Sequence, residues 1–366
     1  MAVQLHCPGG FLRRPQRGSV ILFVLGVIFL TAFLLTRLID RAGGELLAET
    51  KAASRTLERD QAYSALEVTL AVMADAAAND GGLHAPQQGW GDPLRYADYE
   101  PPTGFEVTVT FEDETGKLPL ATATEAMLQN YLEAVGATSA EAERLTDALL
   151  AWTRADYLPN TSEADPRTYE NSPFPYAPPH RAIRTFEELR AVAVARDLFF
   201  DADGRWTELG EKFRADASLQ PFSQVNINSA RPAVLAALGL EPTRANSLAE
   251  ELTPAAGHAR NPKFYRTINE AAAEHGGDLL QPGLGADVQC MRIRVSVKEG
   301  ARIFQLEAVV QPGNNSRQNQ PASAAPVVPA DANSRPETPV DPRSVTSKRV
   351  DYPFRILELL EQDGSV

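Results

Sequence analysis

The residues able to do chemistry are few and widely spaced. The five histidines, His6, His84, His180, His258 and His275, never fall at the i, i+4 spacing of a helical metal pair. Cys7 and Cys290 make neither a disulfide framework nor a metal-ligand pair. No nucleophile elbow, phosphate-binding P-loop or dinucleotide-binding glycine turn occurs. The carboxylates offer more. Asp201, Asp203 and Glu208 in FFDADGRWTELG begin like a calcium loop, but the final bidentate acid falls on Gly210. That spacing describes a turn before a helix. Asp156, Glu163 and Asp165 lie in a polar, proline-rich loop over 156–181. Their oxygens are the hard ligands calcium takes, and they are equally at home in solvent.

A different chemistry acts on the chain itself. Residues 1–18 carry Arg13, Arg14 and Arg17 and no acid, and Gly18 directly precedes the uncharged run Ser19–Thr36, SVILFVLGVIFLTAFLLT. Eighteen helical residues span roughly 27 Å, enough to cross the hydrocarbon core of a bilayer. The arginines before the run place the N-terminus in the cytoplasm. A secretory peptidase cuts after its apolar segment. Here the small residue stands before it, as in prepilin-type leaders, so the scissile bond is Gly18–Ser19 and the apolar helix stays on the product.

The elements that carry these residues follow from pattern. No proline occurs between Pro15 and Pro86, and Glu45–Ala78 is rich in helix formers, with Leu46, Leu47, Leu57, Tyr63, Leu66, Leu70 and Met73 compatible with one face. Gly43 and Gly44 are expected to loosen this helix just outside the bilayer. FEVTVTFE at 105–112 alternates as a half-buried strand. Helical patterns cover 124–155, broken near Gly136, with an N-cap expected at Ser139, and another helix opens at Thr185 with a capping box to Glu188. LPLATATEAMLQNYLEAVG and VNINSARPAVLAALGL repeat one plan, a short extended piece followed by a helix and a glycine. MRIRVSV and RIFQLEAVV form a hairpin, 311–347 reads as disordered, and FRILELL is a last strand or short helix.

The fold class predicted is therefore α+β. A long N-terminal helix packs on a small antiparallel sheet, and a large all-α domain, SAM-like or helix-hairpin-helix-like, is inserted between the first strand and the hairpin. The expected divisions are a leader (1–18), a transmembrane helix (19–36) and the external part of the long helix (37–79). The sheet region takes 80–117 and 288–312, the insert 118–287, a Pro/Ser-rich stretch 313–350, and the last strand 351–366.

The fragments RG–SVILFVLGVIFL, EDETGKLPLATA, LTDALLAWTRAD, RTFEELRAV and SQVNINSARPAVLAAL, in this order, resemble the type II secretion system protein K (general secretion pathway protein K) family of large minor pseudopilins. The resemblance implies a non-enzymatic, single-pass inner-membrane protein with a periplasmic globular part. It would sit at the tip of the pseudopilus with minor pseudopilins I and J and the inner-membrane secretion components, after cleavage and N-methylation by a prepilin peptidase. It also implies a calcium site, to which Asp156 and, through Thr161-Ser162-Glu163, Glu163 correspond; Asp165 joins them from the acidic loop itself. Where the family reads W-I-D-x-D, this chain has Trp152-Thr153-Arg154-Ala155-Asp156, with an arginine replacing an acid. Pilin-like proteins generally carry a glutamate at mature position five. After the predicted cut this position is Phe23, and no acid lies between Ser19 and Arg37.

The rival reading is a membrane-anchored nucleic-acid-binding or DNA-uptake protein that uses NINSARPAVLAALG as half of a helix-hairpin-helix. With 35 basic against 48 acidic residues, net −13, the chain lacks the basic surface that phosphates require. The hairpin, Gly239-Leu240-Glu241-Pro242-Thr243-Arg244, puts an acid where phosphate would dock.

Overall fold

The computed structural model describes residues 17–171, 175–252, 263–313 and 353–365. Residues 1–16 of the expected leader, Cys7 among them, His258 and nearly all of the Pro/Ser-rich stretch lie outside them. The chain divides into two compact units, Met1–Glu58 and Arg59–Val366.

The first unit is helical. Helix α1 (Arg17–Asp80) begins there and runs unbroken through Gly43 and Gly44, contrary to the expected loosening. Neither glycine has another group within 4 Å of where a Cβ would stand. Ile21–Glu45 has a mean hydropathy of 2.5 and is long enough to span a bilayer. Its hydroxyls are returned to the helix: Thr31 donates to the Ile28 carbonyl at 2.9 Å and Thr36 to the Ala32 carbonyl at 3.0 Å. Such back-bonding is how polar side chains are tolerated where water is absent.

The second unit holds two apolar cores. The first lies between α1, from Arg59 on, and a four-stranded antiparallel sheet. Its strands are β1 (Phe105–Asp113), β6 (Met291–Glu299), β7 (Arg302–Pro312) and β8 (Phe354–Ser365), in the order β1-β6-β7-β8. Ala62, Ala65, Leu66, Leu70 and Met73 recur at i, i+3, i+4 spacing and are buried against the sheet. Met291, Ile293, Val295 and Val297 of β6 answer from alternate positions, with Phe304, Leu306 and Ala308 of β7 beside them. Truncating Leu66 or Leu70 to alanine costs roughly 2–5 kcal/mol at such a site. Trp90 seals one end, edge-on to Phe111 at 5.1 Å. Strand β8 is the alternative the sequence left open against a short helix. It is tied to α1 through Glu361, which accepts from Arg59 Nε at 2.9 Å and from the Tyr63 hydroxyl at 2.7 Å. Beyond β7 the Gly313 amide donates to the Pro353 carbonyl at 2.7 Å, so the chain leaves and re-enters the sheet at one point.

The second core fills the segment between β1 and β6. After the short helix α2 (Pro93–Tyr96) and β1 come β2 (Leu118–Pro119), α3 (Glu125–Ala134), α4 (Ser139–Thr153), α5 (Pro166–Glu170), α6 (Ala193–Phe199), α7 (Glu208–Asp216) and β3 (Ala217–Ser218). Then follow β4 (Val225–Asn226), α8 (Pro232–Ala237), α9 (Pro242–Leu252), α10 (Ile268–His275) and β5 (Leu284–Gly285). The repeat seen in the sequence has a structural counterpart. Each half begins with a two-residue strand that pairs in parallel with a later one, β2 with β3 and β4 with β5. Leu128, Tyr131, Leu145, Phe199, Phe213, Val234 and Leu235 lie in one continuous core.

Two local expectations fail for identifiable reasons. Helix α4 is capped by Thr138, not Ser139: its hydroxyl accepts from the Glu141 amide, while Glu141 bonds back to the Thr138 amide at 2.9 Å. At Thr185 no capping box forms, and a 3-10 turn (Phe186–Ala191) stands there instead. Glu188 is drawn off by the Trp152 indole at 3.0 Å and by Arg181, also at 3.0 Å.

Candidate functional site

The two cores do not merge, and polar side chains fill the boundary between them. It has two layers. In the first, the turn after β1 buries Glu114, which is 2% exposed. Its carboxylate accepts from Ser218 at the end of β3 (2.6 Å), Arg292 Nε on β6 (2.7 Å) and Lys117 Nζ (3.1 Å). Lys117 also reaches Glu112 at 2.7 Å, and Arg292 reaches Glu307, which Arg294 holds at 2.7 Å. Burial disfavours charge on Glu114, but Lys117, Ser218 and Arg292 outweigh it and hold its pKa below the ordinary carboxylate range. Glu307 is lowered in the same way, with Arg294 and Arg292 overcoming burial.

In the second layer Asp113, the last residue of β1, accepts from Ser229 Oγ at 2.5 Å, from Asn226 Nδ2 at 2.8 Å and from the Thr115 amide at 2.8 Å. Asn226 also donates to the His84 carbonyl at 2.8 Å, in the loop after α1. Asn228 donates to the carbonyls of Tyr265 (2.9 Å) and Ala286 (3.2 Å) and accepts from the Tyr265 amide at 2.8 Å. His84 Nδ1 lies 3.0 Å from the Ala286 carbonyl and 3.1 Å from Asp287 Oδ1. The backbone passes so close here that a Cβ on Gly116 would stand 2.5 Å from Ser229 Oγ and 2.7 Å from the Ser229 carbonyl oxygen. Only glycine fits. Cys290, next to this layer, is buried, and desolvation with Glu114 and Asp113 nearby pushes its thiol up to about 12. It is therefore an inert thiol. The two serine hydroxyls that meet carboxylates, Ser229 on Asp113 and Ser218 on Glu114, serve as donors within this packed network. What they can do is fix the insert on the sheet. A cavity of about 610 Å³ opens alongside, but the charges of Arg292, Arg294, Glu114 and Glu307 on its wall are already spent on one another.

The residues chosen from sequence lie elsewhere. Gly18 and Ser19 are in the first turn of α1. Phe23 is 73% exposed within the apolar segment. Asp156, Glu163 and Asp165 share a loop but not a site. Asp156 is exposed. Glu163 is clamped by Arg144 through Nε (3.0 Å) and Nη2 (2.7 Å). Asp165 caps α5, accepting from the Arg167 amide at 2.9 Å. Arg154, where the family has an acid, turns away to the Ala123 carbonyl at 2.5 Å. As they stand, these donors do not fit calcium. The loop is gathered by Asp147 of α4, 2% exposed, which the sequence reading passed over as one more helical acid. It accepts from the amides of Asn160 (2.9 Å) and Thr161 (2.8 Å) and from the Thr161 hydroxyl (2.5 Å). Burial disfavours its charge, yet these bonds prevail and lower its pKa.

Among the described residues, Glu251, Glu274 and His275 alone bring three ligand-type groups together. Lys263 already bonds Glu274, and Tyr265 meets His275 Nε2 at 2.7 Å. At the hairpin where the rival reading would dock phosphate, Glu241 accepts from the Arg244 amide at 3.1 Å, so a carboxylate occupies the start of α9.

Residues 111–199 match the family described as type II secretion system (T2SS), protein K. The type II secretion system protein K of Pectobacterium carotovorum subsp. carotovorum is 26% identical over 208 residues, covering 51% of this chain and 61% of that protein. The chain thus spans under two thirds of that relative's length. In solved structures, the fold matches a chain of the GspK-GspI-GspJ complex from the enterotoxigenic Escherichia coli type 2 secretion system. The TM-score is 0.52 at 14% identity, covering 84% of this chain and 98% of that one. The likeness supports the α+β, pilin-like reading with its inserted helices.

Proposed function

We propose that this chain, a relative of type II secretion system protein K, is a minor pseudopilin that ends the pseudopilus and serves secretion structurally, without catalysis. The observation that carries the reading is the combination within one unit of a pilin-like half and a bulky insert fastened between β1 and β6. A pilin-like half can be incorporated through its helix. A rigid insert of that size crowds neighbours within a shaft but not at its end.

The rest of the proposal concerns the membrane part. The apolar segment is a single inner-membrane span, with the N-terminus cytoplasmic and the globular unit periplasmic. A prepilin peptidase cuts between Gly18 and Ser19 and methylates the new amine. A buried carboxylate survives in an apolar helix bundle only when paired. Phe23 at mature position five has no charge to pair, which suits a subunit with no amine ahead of it. The partners are minor pseudopilins I and J and the inner-membrane secretion components. Co-purification of the full chain with candidate minor pseudopilins tests the assembly, and mass analysis of the mature N-terminus tests the processing. A terminus beyond Thr36 would mean an ordinary signal peptide and would remove the pilin reading. Antibody label on the insert should appear at filament ends; label spaced along the shaft refutes the tip position.

A further inference from the structure

We infer that the loop over 156–171 is closed by the protein's own groups, Asp147 as its anchor and the Arg144 guanidinium in place of a metal ion, so that the insert folds without calcium. Two contacts decide this. The Asp147 carboxylate is buried on α4 and takes the Asn160 amide on Oδ1 and the Thr161 amide and hydroxyl on Oδ2. Calcium organises an acidic loop by drawing oxygens inward to a common centre. Here the loop turns its N–H and O–H donors inward toward an anion, which is the opposite polarity. The second contact removes the charge that calcium would need. Glu163 gives both oxygens to Arg144 in a planar, two-bond pairing, the geometry in which guanidinium binds carboxylate best. Asp165 is committed to the amide at Arg167 and Asp156 faces solvent, and the three acids do not come together as one ligand group.

The inference concerns how the insert is held together and does not depend on the tip assignment. The test uses the full chain in detergent, melted in millimolar calcium and again in excess chelator. The two melting temperatures should agree within about 1 °C. A calcium site filled at a hundred times its dissociation constant would instead separate them by roughly 5–10 °C. Asp147→Asn puts an NH₂ against the loop donors. It should lower the melting temperature by about 5 °C and expose the loop to protease, with calcium restoring neither. Should that variant fail to fold, Thr161→Val removes one hydroxyl and should give a smaller fall, again blind to calcium. A calcium-dependent rise in the unmodified chain that Glu163→Gln abolishes overturns the inference. So does an Asp147→Asn chain that melts and resists protease like the original.

Discussion

Glu114→Gln tests the fastening between the two cores directly. The substitution keeps the shape and removes the charge. In the unmodified chain the carboxylate faces Lys117 and Arg292, whose side chains are 10% and 22% exposed. Removing one partner of a buried ion pair costs about 3–5 kcal/mol, because the remaining charge stays desolvated. Here each cation keeps a second acid, Lys117 with Glu112 and Arg292 with Glu307, which trims the loss to about 2–4 kcal/mol. The sign with pH follows from linkage. The pKa of Glu114 is depressed in the folded state, so its stabilisation is complete above the unfolded glutamate value of about 4.3. It is lost as pH falls through the lower folded value. The gap between the two proteins should therefore be full at pH 7 and narrow on acidification. Urea unfolding followed by tryptophan fluorescence reads it, with Trp90 reporting the sheet core and Trp152 and Trp206 the insert. A loss below about 1 kcal/mol at pH 7, or a gap that stays constant as pH falls, refutes the argument.

Two other outcomes test neighbouring parts of the junction. Gly116→Ala should destabilise by about 1–3 kcal/mol or more, since the added methyl meets backbone at Ser229 that has nowhere to retreat; equal unfolding midpoints would show that the approach is looser than described. Cys290, with its thiol pushed up to about 12, should resist iodoacetamide at pH 8 in the folded chain and react on unfolding, followed by intact mass.

What could be read from the sequence was whatever repeats locally. Alternation in FEVTVTFE and MRIRVSV gives the strands, and Leu66, Leu70 and Met73 give part of the buried face of α1, while Leu57, read onto the same face, is exposed. The junction was not legible as such. Asp113, Glu114, Asn226 and Asn228 look like turn residues, and their bonds reach partners more than a hundred positions away, as from Asn226 to Asp113 and Ser218 to Glu114. Part of the signal was present in disguise, because Asn226 and Asn228 fall in VNINSA, a module start, and Glu114 lies just before the other, LPLATA. The acidic loop over 156–181 shows the same limit. Acid count shows how much charge a loop carries but not which way its amides point, and Asp147 decides that from another helix.

The hydrogen bond between Gly313 and Pro353 makes the fold indifferent to what lies between them. Gly313 and Pro353, the described residues on either side of 314–352, meet at one place on the sheet. Closure entropy rises with the logarithm of length, and doubling such a loop costs only about 0.6 kcal/mol. Evolution can rewrite, extend or delete this stretch without renegotiating the sheet, and an experimenter can splice a reporter domain there for the same reason.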